Sequence, residues 1–478
     1  MRHILPSTPV RRFVTTSTMA GQQKDITIIG GGIIGCSTAY YLTRHPSYSP
    51  ETHRITLLEA STSNSGGRTA DSITDPATLA DPESQSKWKR NPAHDGIAGG
   101  ASGKAGGLLA LWAFPQNIVP LSFRLHDELA KEHDGHKRWG YRRCYASQVD
   151  CRARLPPGFS SQDDDATAAE VAGDAIEGLH RDHKKTTKAL KKLGAPEDLD
   201  WLDTEHALSS YDNMGTPDNT AQVHPELFTR SLAQLAEERG VKIVTGARVT
   251  TINKAADGRA VKNVVYEKDG KQETLPTTEC VVAAGPWTSR LLPNVPVTAS
   301  RAHSVVIQTP KPVSAYALFT SIVLPSGFPT PTKEKARGSK AAQGPLKRTQ
   351  VVEPEIYARP DGTAYACGPT DQTVELPTTN ADVEVDEARC DDILHQVGGI
   401  SDELGKDGKV LAKQACYLPQ GGPWIGEVGG TKGLIVAAGH TCWGIQNAPG
   451  TGKLVSELVL DGATKSAKLG GCDASRFL

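Results

Sequence analysis

Short β-branched runs and amphipathic stretches follow one another along this chain, and each change of period marks an element. Residues 25–29, Asp-Ile-Thr-Ile-Ile, read as a buried strand that breaks into glycines, with a helical segment following through Leu42. A second apolar strand covers 55–59 and ends on an acid, Glu59. Leu121, Leu125 and Leu129, spaced four apart, predict an amphipathic helix over 121–133. An alternating, aromatic-containing run at 137–148 reads as a strand, and 163–203 as polar helical and irregular sequence. Pro225 and Gly240 bracket a second amphipathic helix at its first turn and its C-terminal cap. Four strand-like runs follow at 241–245, 248–252, 260–266 and 273–284, divided by Gly and Asp turns. Further strands are expected at 301–327 and 351–369, then a strand at 433–439, a loop at 441–449 and a closing helix at 451–460.

The first strand carries the most specific chemistry. Gly30, Gly32 and Gly35 stand in the spacing G-x-G-x-x-G, where the first makes a tight turn, the second admits a pyrophosphate and the third lets helix and strand pack closely. Phosphates would then meet the unpaired N–H groups at the positive end of the helix. Glu59 lies at the end of the next strand, about 20 residues past the glycines, where a ribose hydroxyl needs an acceptor. A later strand, Val281-Val282-Ala283-Ala284, also runs into a glycine turn, and so does 434–439. The dinucleotide domain is therefore expected to be discontinuous and closed by the C-terminal region. Residues 99–107, Gly-Gly-Ala-Ser-Gly-Lys-Ala-Gly-Gly, precede the apolar 108–111. So many small residues mean either that backbone comes close to something flat, such as a cofactor, or that the chain hinges there.

Composition narrows the class without changing this picture. Hydrophobic residues make up 38% of the 478, charged residues 22%, and the formal net charge is -1, so nothing points to nucleic acid. No apolar run reaches the ~18 residues needed to span a bilayer. Nine cysteines without a C-x-x-C pair argue against a structural metal site or a disulfide scaffold and for a reducing compartment. Residues 1–24 hold three arginines and no acid, which suits a mitochondrial transit peptide or, with a start at Met19, a short leader on a cytoplasmic protein. Residues 61–98 and 328–347 read as polar insertions, the first a surface segment without chemistry.

Four landmarks in fixed order carry a family resemblance: the glycine turn with Glu59, the 101–107 loop, the Val-Val-Ala-Ala-Gly-Pro-Trp strand, and the Ala-Ala-Gly-His-x-x-x-Gly-Ile loop at 437–445. Over residues 25–465, outside the insertions, the chain resembles the FAD-dependent oxidoreductases of the D-amino acid oxidase, glycine oxidase and sarcosine oxidase group, most nearly a fungal branch of it. The resemblance implies an α/β fold in which a Rossmann-like FAD domain at 25–125, 211–295 and 411–465 is joined to a mostly antiparallel substrate domain at 126–210 and 296–410, with a tail at 466–478. It implies that Gly30, Gly32 and Gly35, with Ile33 and Ile34, hold the pyrophosphate, that Glu59 and Ala60 meet the ribose, and that Val249 meets the adenine. Ala101, Ser102, Lys104, Ala105, Gly106, Gly107 and Leu108 would lie along the flavin ring. Ala284, Gly285 and Trp287 would close the channel, and Gly439, His440, Gly444 and Ile445 would line the pyrimidine edge.

What the resemblance implies chemically is oxidation of a C–N bond, with a hydride equivalent passing to flavin N5 and then to oxygen or another acceptor. Family members acting on amino acids carry an arginine in a Leu-Arg-Pro turn that clamps the substrate carboxylate. Leu418 stands at that place here, which turns the expectation toward a substituted amine or an amino-acid derivative. Cys416 falls near the position where some members bind flavin through a thioether, and is otherwise a buried core cysteine. His440, His303, Tyr357 and Arg359 are the candidate substrate-side groups. His303 either faces the flavin or, as the default reading, is a strand-surface histidine, and the default for Arg359 is an exposed arginine before a Pro-Asp-Gly turn. The absent clamp also leaves room for a different class of protein, one that binds FAD with little turnover and serves assembly, sorting or regulation.

Overall fold

A computed structural model describes residues 23–63, 66–68, 92–156, 159–160, 194–330 and 344–477. In chain order, the strand Lys24–Ile29 (β1), the helix Ile33–Leu42 (α1) and the strand His53–Glu59 (β2) come first. The helices Val119–Glu132 (α2) and Gly135–Trp139 (α3) follow, then the strands Tyr145–Arg152 (β3) and Leu208–Gly215 (β4). The helix Pro225–Glu237 (α4) leads to the strands Lys242–Thr245 (β5) and Glu279–Val282 (β6). Next are Thr298–Gln308 (β7), Tyr316–Leu324 (β8), Glu355–Ala358 (β9) and Thr363–Cys367 (β10). The helix Glu387–Gly398 (α5), the strands Lys409–Gln420 (β11), Trp424–Glu427 (β12) and Leu434–Ala438 (β13), and the helix Gly444–Asp461 (α6) complete the framework.

Two sheets organise the molecule. The first runs β12-β13-β6-β1-β2-β5, parallel throughout except where β12 lies antiparallel to β13. Its central strand β1 is apolar on both faces because helices cover one side and a three-stranded antiparallel sheet of 248–254, 261–268 and 271–276 the other. Helix α1 is buried almost all round because α6 and α4 both pack on it. The second sheet runs β11-β7-β10-β9-β8-β3-β4, antiparallel except for the pair β8 and β3. The expected fold class, a discontinuous dinucleotide domain with a mostly antiparallel second domain, is the one found.

Several boundaries move. Strand β11 pairs with β7 from Thr298 opposite Gln420 to Gln308 opposite Lys409, so residues up to Gln420 belong to the substrate sheet rather than to the dinucleotide domain from 411. Helix α2 puts Leu121, Leu125 and Leu129 into the same core as α1 and α6, so the substrate domain does not open at 126. The run at 137–148 divides into α3 and strands because left-handed residues, Asp134 and Gly140, cap a short helix on both sides. The run at 273–284 also divides, its first part in the three-stranded sheet and its second in β6.

Helix α6 begins at Gly444, where a loop was expected, and contains Pro449. A proline there cannot donate to the carbonyl four residues back, that of Ile445. His126 Nε2 meets this carbonyl at 3.0 Å and supplies the missing donor. Of the segment expected to be a surface insertion, Gly66, Gly67, Ile97 and Ala98 are buried. The leader up to residue 22, most of the insertion between 64 and 91, the polar stretch at 161–193 and residues 331–343 lie outside the described residues.

Candidate active site

Two cavities meet beyond the carboxyl ends of β1, β6 and β13, the edge at which doubly wound sheets hold their ligands. The narrower, about 340 Å³, is walled by Gly30, Gly32, Ile33 and Ile34 from the first turn, Glu59 and Ala60 after β2, and Val249. Ala101, Ser102 and Ala105 form another side, with Ala284, Gly285 and Trp287 after β6 and Gly439, His440, Gly444 and Ile445 after β13. Every one of these was expected from the sequence to meet one cofactor. Gly35 lies behind the wall, where any side chain would overlap the Gly30 carbonyl, and so serves the strand–helix packing assigned to it.

The residues present fit a long anionic dinucleotide. A Cβ on Gly30, whose φ is +114°, would overlap the carbonyl oxygen of Ala283, and one on Gly32 would stand 3.2 Å from Ser102 Oγ. Main chain therefore forms the channel floor. Helices α1 and α6 both begin at this channel, neither with a side-chain cap at its N-cap residue, so two positive helix ends face the same space. Glu59 accepts from the amides of Gly31 at 2.7 Å and Ser61 at 2.9 Å. Burial raises its carboxyl above the ordinary range, against those two bonds. His440 is buried with Nε2 3.0 Å from Thr451 Oγ1, and burial lowers its pKa to about 3, so the ring is neutral. Next to it Thr441 holds φ +52°, a left-handed conformation that β-branched residues rarely adopt.

The wider cavity, about 1520 Å³, is walled by Lys104, Gly106, Gly107 and Leu108 and by side chains of the antiparallel sheet. Ala101, Ala105, Leu418, Thr441, Cys442 and Ile445 border both cavities and form the junction. Tyr357 lies against Gly106, where a Cβ would fall 2.5 Å from its ring, and its hydroxyl donates to Glu355. Tyr365 and Phe319 stand 5.8 and 6.4 Å from the Tyr357 ring. Lys104 is buried, and burial followed by the nearby Arg68 lowers its pKa to about 7; its Nζ donates to Gly99 O. Cys416 is buried beside it, its pKa raised to about 11 by burial and only partly offset by Lys104.

At this point the family model for FAD dependent oxidoreductases, DAO, matches residues 25–87 and 93–458. The chain belongs to this family. A Saccharomyces cerevisiae relative, described as "Putative oxidoreductase TDA3", is 32% identical, covering 95% of both chains. Among solved structures, glycine oxidase from Geobacillus kaustophilus aligns with a TM-score of 0.60 at 18% identity over 96% of this chain and 100% of its own. Iminodiacetate oxidase from Chelativorans sp. BNC1 aligns at 0.57 and 19%, covering 93% of this chain and 97% of its own. At those identities the likeness is one of fold.

Within this FAD dependent oxidoreductase, one substrate-side expectation is corrected. Arg359 is buried, neither exposed nor on the cavity wall: Nη2 donates to Ala105 O at 2.8 Å and the guanidinium lies 5.1 Å from the Tyr365 ring. Alternation put it on the face of Tyr357, but its length carries the charge past the cavity to the back of the glycine loop. His303 lines the wide cavity and is buried, not a surface histidine. Its Nε2 accepts from the Asp386 amide at 3.1 Å and its Nδ1 faces Asp371 at 3.8 Å. Burial, followed by Arg301, lowers its pKa to about 4. Among the described residues Nδ1 makes no hydrogen bond, so the ring stands on the cavity wall beside the Arg301–Asp371 pair with one nitrogen unpartnered.

Sequence reasoning missed Arg68, set in the supposed surface insertion. Its guanidinium donates to Glu226 at 2.7 Å, to Gly103 O at 3.2 Å and to Gln414 at 3.2 Å, joining the glycine loop, α4 and β11. Burial pushes the Glu226 carboxyl up, but Arg68 and Arg230 outweigh it and hold the pKa at about 2. Glu355 was also missed, although it stands two residues before Tyr357 on the same face of β9.

Proposed function

We propose that FAD lies along the narrow channel with its reactive ring at the junction, and that the wide cavity holds a substituted amine or amino-acid derivative whose C–N bond is oxidised. The observation that carries this reading is the junction itself: a main-chain-lined channel with two helix N-termini opens directly into an aromatic cavity. FAD, when bound, supplies the acceptor for a hydride equivalent from the carbon beside the nitrogen. The chain's own part is placement. Gly106 lets the Tyr357 ring lie directly on the main chain, Gly107 lets the loop pass close to the Val223 carbonyl, and Arg359 holds the loop from behind through Ala105. His440, neutral and bonded to Thr451, contributes a fixed dipole and not a titrating base.

The fold neighbours that oxidise glycine and iminodiacetate support C–N chemistry, and Leu418 at the junction, in place of a clamping arginine, favours a substrate other than a free amino acid. The reading is of noncovalent FAD, since burial keeps the Cys416 thiol protonated. The test is anaerobic mixing of the yellow holoprotein with a panel of secondary amines and N-alkyl amino acids. Bleaching of the flavin by at least one of them is the expected result. Bleaching only by α-amino acids with a free primary amine would contradict the substrate reading, and peroxide on admitting air would separate an oxidase from a dehydrogenase.

A further inference from the structure

The wide cavity has an aromatic wall into which the half-buried carboxylate of Glu355 is set, and Asp392 and the exposed Glu353 line the same cavity. Glu355 lines this cavity on β9, and its Oε2 accepts from the Tyr357 hydroxyl with Cys367 Sγ at 3.8 Å. Both of these contacts end on Oε2, which leaves Oε1 for a further partner. The rings of Phe319, Tyr357, Tyr365 and Trp443 share the same wall. Phe319 meets Tyr357 nearly edge-on at 79°, and Trp112 stands between Phe319 and Trp443 at 6.0 and 5.7 Å.

Two of the cations on that wall are engaged elsewhere: Lys104 donates to the Gly99 carbonyl, and Arg389 lies 3.8 Å from Asp371 and 3.7 Å from Asp386. Lys347 also lines the cavity, at its solvent-exposed side. A carboxylate that keeps acceptor capacity inside an aromatic wall matches one class of ligand group. Cations are attracted both to the carboxylate and to the faces of the rings, whereas an anion there would meet like charge and the negative faces of the rings.

We infer that Glu355 and the surrounding aromatic residues form a subsite for a cationic group of the substrate, so that the substrate is a positively charged amine and not a carboxylate-bearing amino acid. This rests on the FAD reading above and narrows it. Tyr357 then has two roles: its ring covers the glycine floor, and its hydroxyl fixes the carboxylate so that the remaining oxygen points at the ligand.

The test uses the full-length holoprotein and two probes of similar size that cannot be oxidised by hydride loss beside an N–H: benzyltrimethylammonium and benzoate. Binding is followed by the flavin difference spectrum and independently by calorimetry. The cation is expected to bind the wild type more tightly than benzoate. Glu355→Gln, which keeps the acceptor for Tyr357, is expected to weaken the cation by about tenfold or more and to leave benzoate unchanged or tighter, with Glu355→Asp intermediate. Tighter binding of benzoate to the wild type, or a Glu355→Gln protein that binds the cation as the wild type does, overturns the inference while leaving an amine-reducible flavin intact. Glu355-dependent calorimetric binding of the cation by a protein that takes up no flavin even on reconstitution with FAD would do the reverse, keeping the subsite and removing the FAD reading.

Discussion

At the scale of the residue, the site depends on side chains that are missing. Gly30 combines φ +114° with an approach to the Ala283 carbonyl that leaves no room for a methyl group, and neither condition is relieved by a side-chain rotation. Gly30→Ala is expected to cost about 2–4 kcal/mol, from left-handed strain and overpacking together, and to lower FAD retention. Thermal unfolding with and without added FAD measures both, and an unchanged Tm would contradict the role given to this turn. Such positions are legible in a sequence because glycine spacing reports backbone geometry directly. Glu355 was less legible, although a Glu-x-Tyr pair on a strand puts two polar side chains on one face, with Arg359 just past the strand's end. Period two shows that these residues share a face but not where each chain ends, so Arg359 at Ala105 could not be told from Arg359 in the cavity.

At the scale of the element, the informative case is the short piece 66–68. Polar composition gave it a surface place, yet Arg68 pairs with Gln414 in an isolated antiparallel bridge and reaches Glu226 on α4. A pairing across 158 residues leaves no local trace in composition, which is why the sequence missed it. Arg68→Met removes the stronger partner of a carboxylate whose side chain is 1% exposed and leaves it Arg230 alone, at 3.2 Å. A loss of about 2–3 kcal/mol is expected, seen as a lower Tm and faster release of FAD, because the same guanidinium holds the glycine loop at Gly103. Unaltered FAD release would mean that the loop is held without it. Helix α6 gives the complementary lesson. Pro449 marked a loop by local rules, but distant side chains satisfy the helix backbone around it: His126 meets the Ile445 carbonyl, and Ser122 bonds the Gln446 carbonyl and the Gly450 amide.

At the scale of the molecule, the two sheets divide the work: one presents three glycine turns to a channel, the other lowers aromatic and acidic side chains over its end. The order of the landmarks along the chain made this division readable before the structure, and every channel residue expected from the glycine turns and the 437–445 loop lies on the channel wall or directly behind it. The domain boundaries were not readable to the same depth, since a strand such as β11 shows its period but not the neighbour it pairs with. The most direct measurement is therefore of the bound group itself: the visible spectrum of the purified full-length protein, followed by acid precipitation and identification of any released flavin. One FAD per chain in the supernatant is the expected result. A protein with no flavin absorbance, even after reconstitution with FAD, would contradict the reading of the channel, and yellow colour retained in the pellet would contradict the proposal of noncovalent FAD.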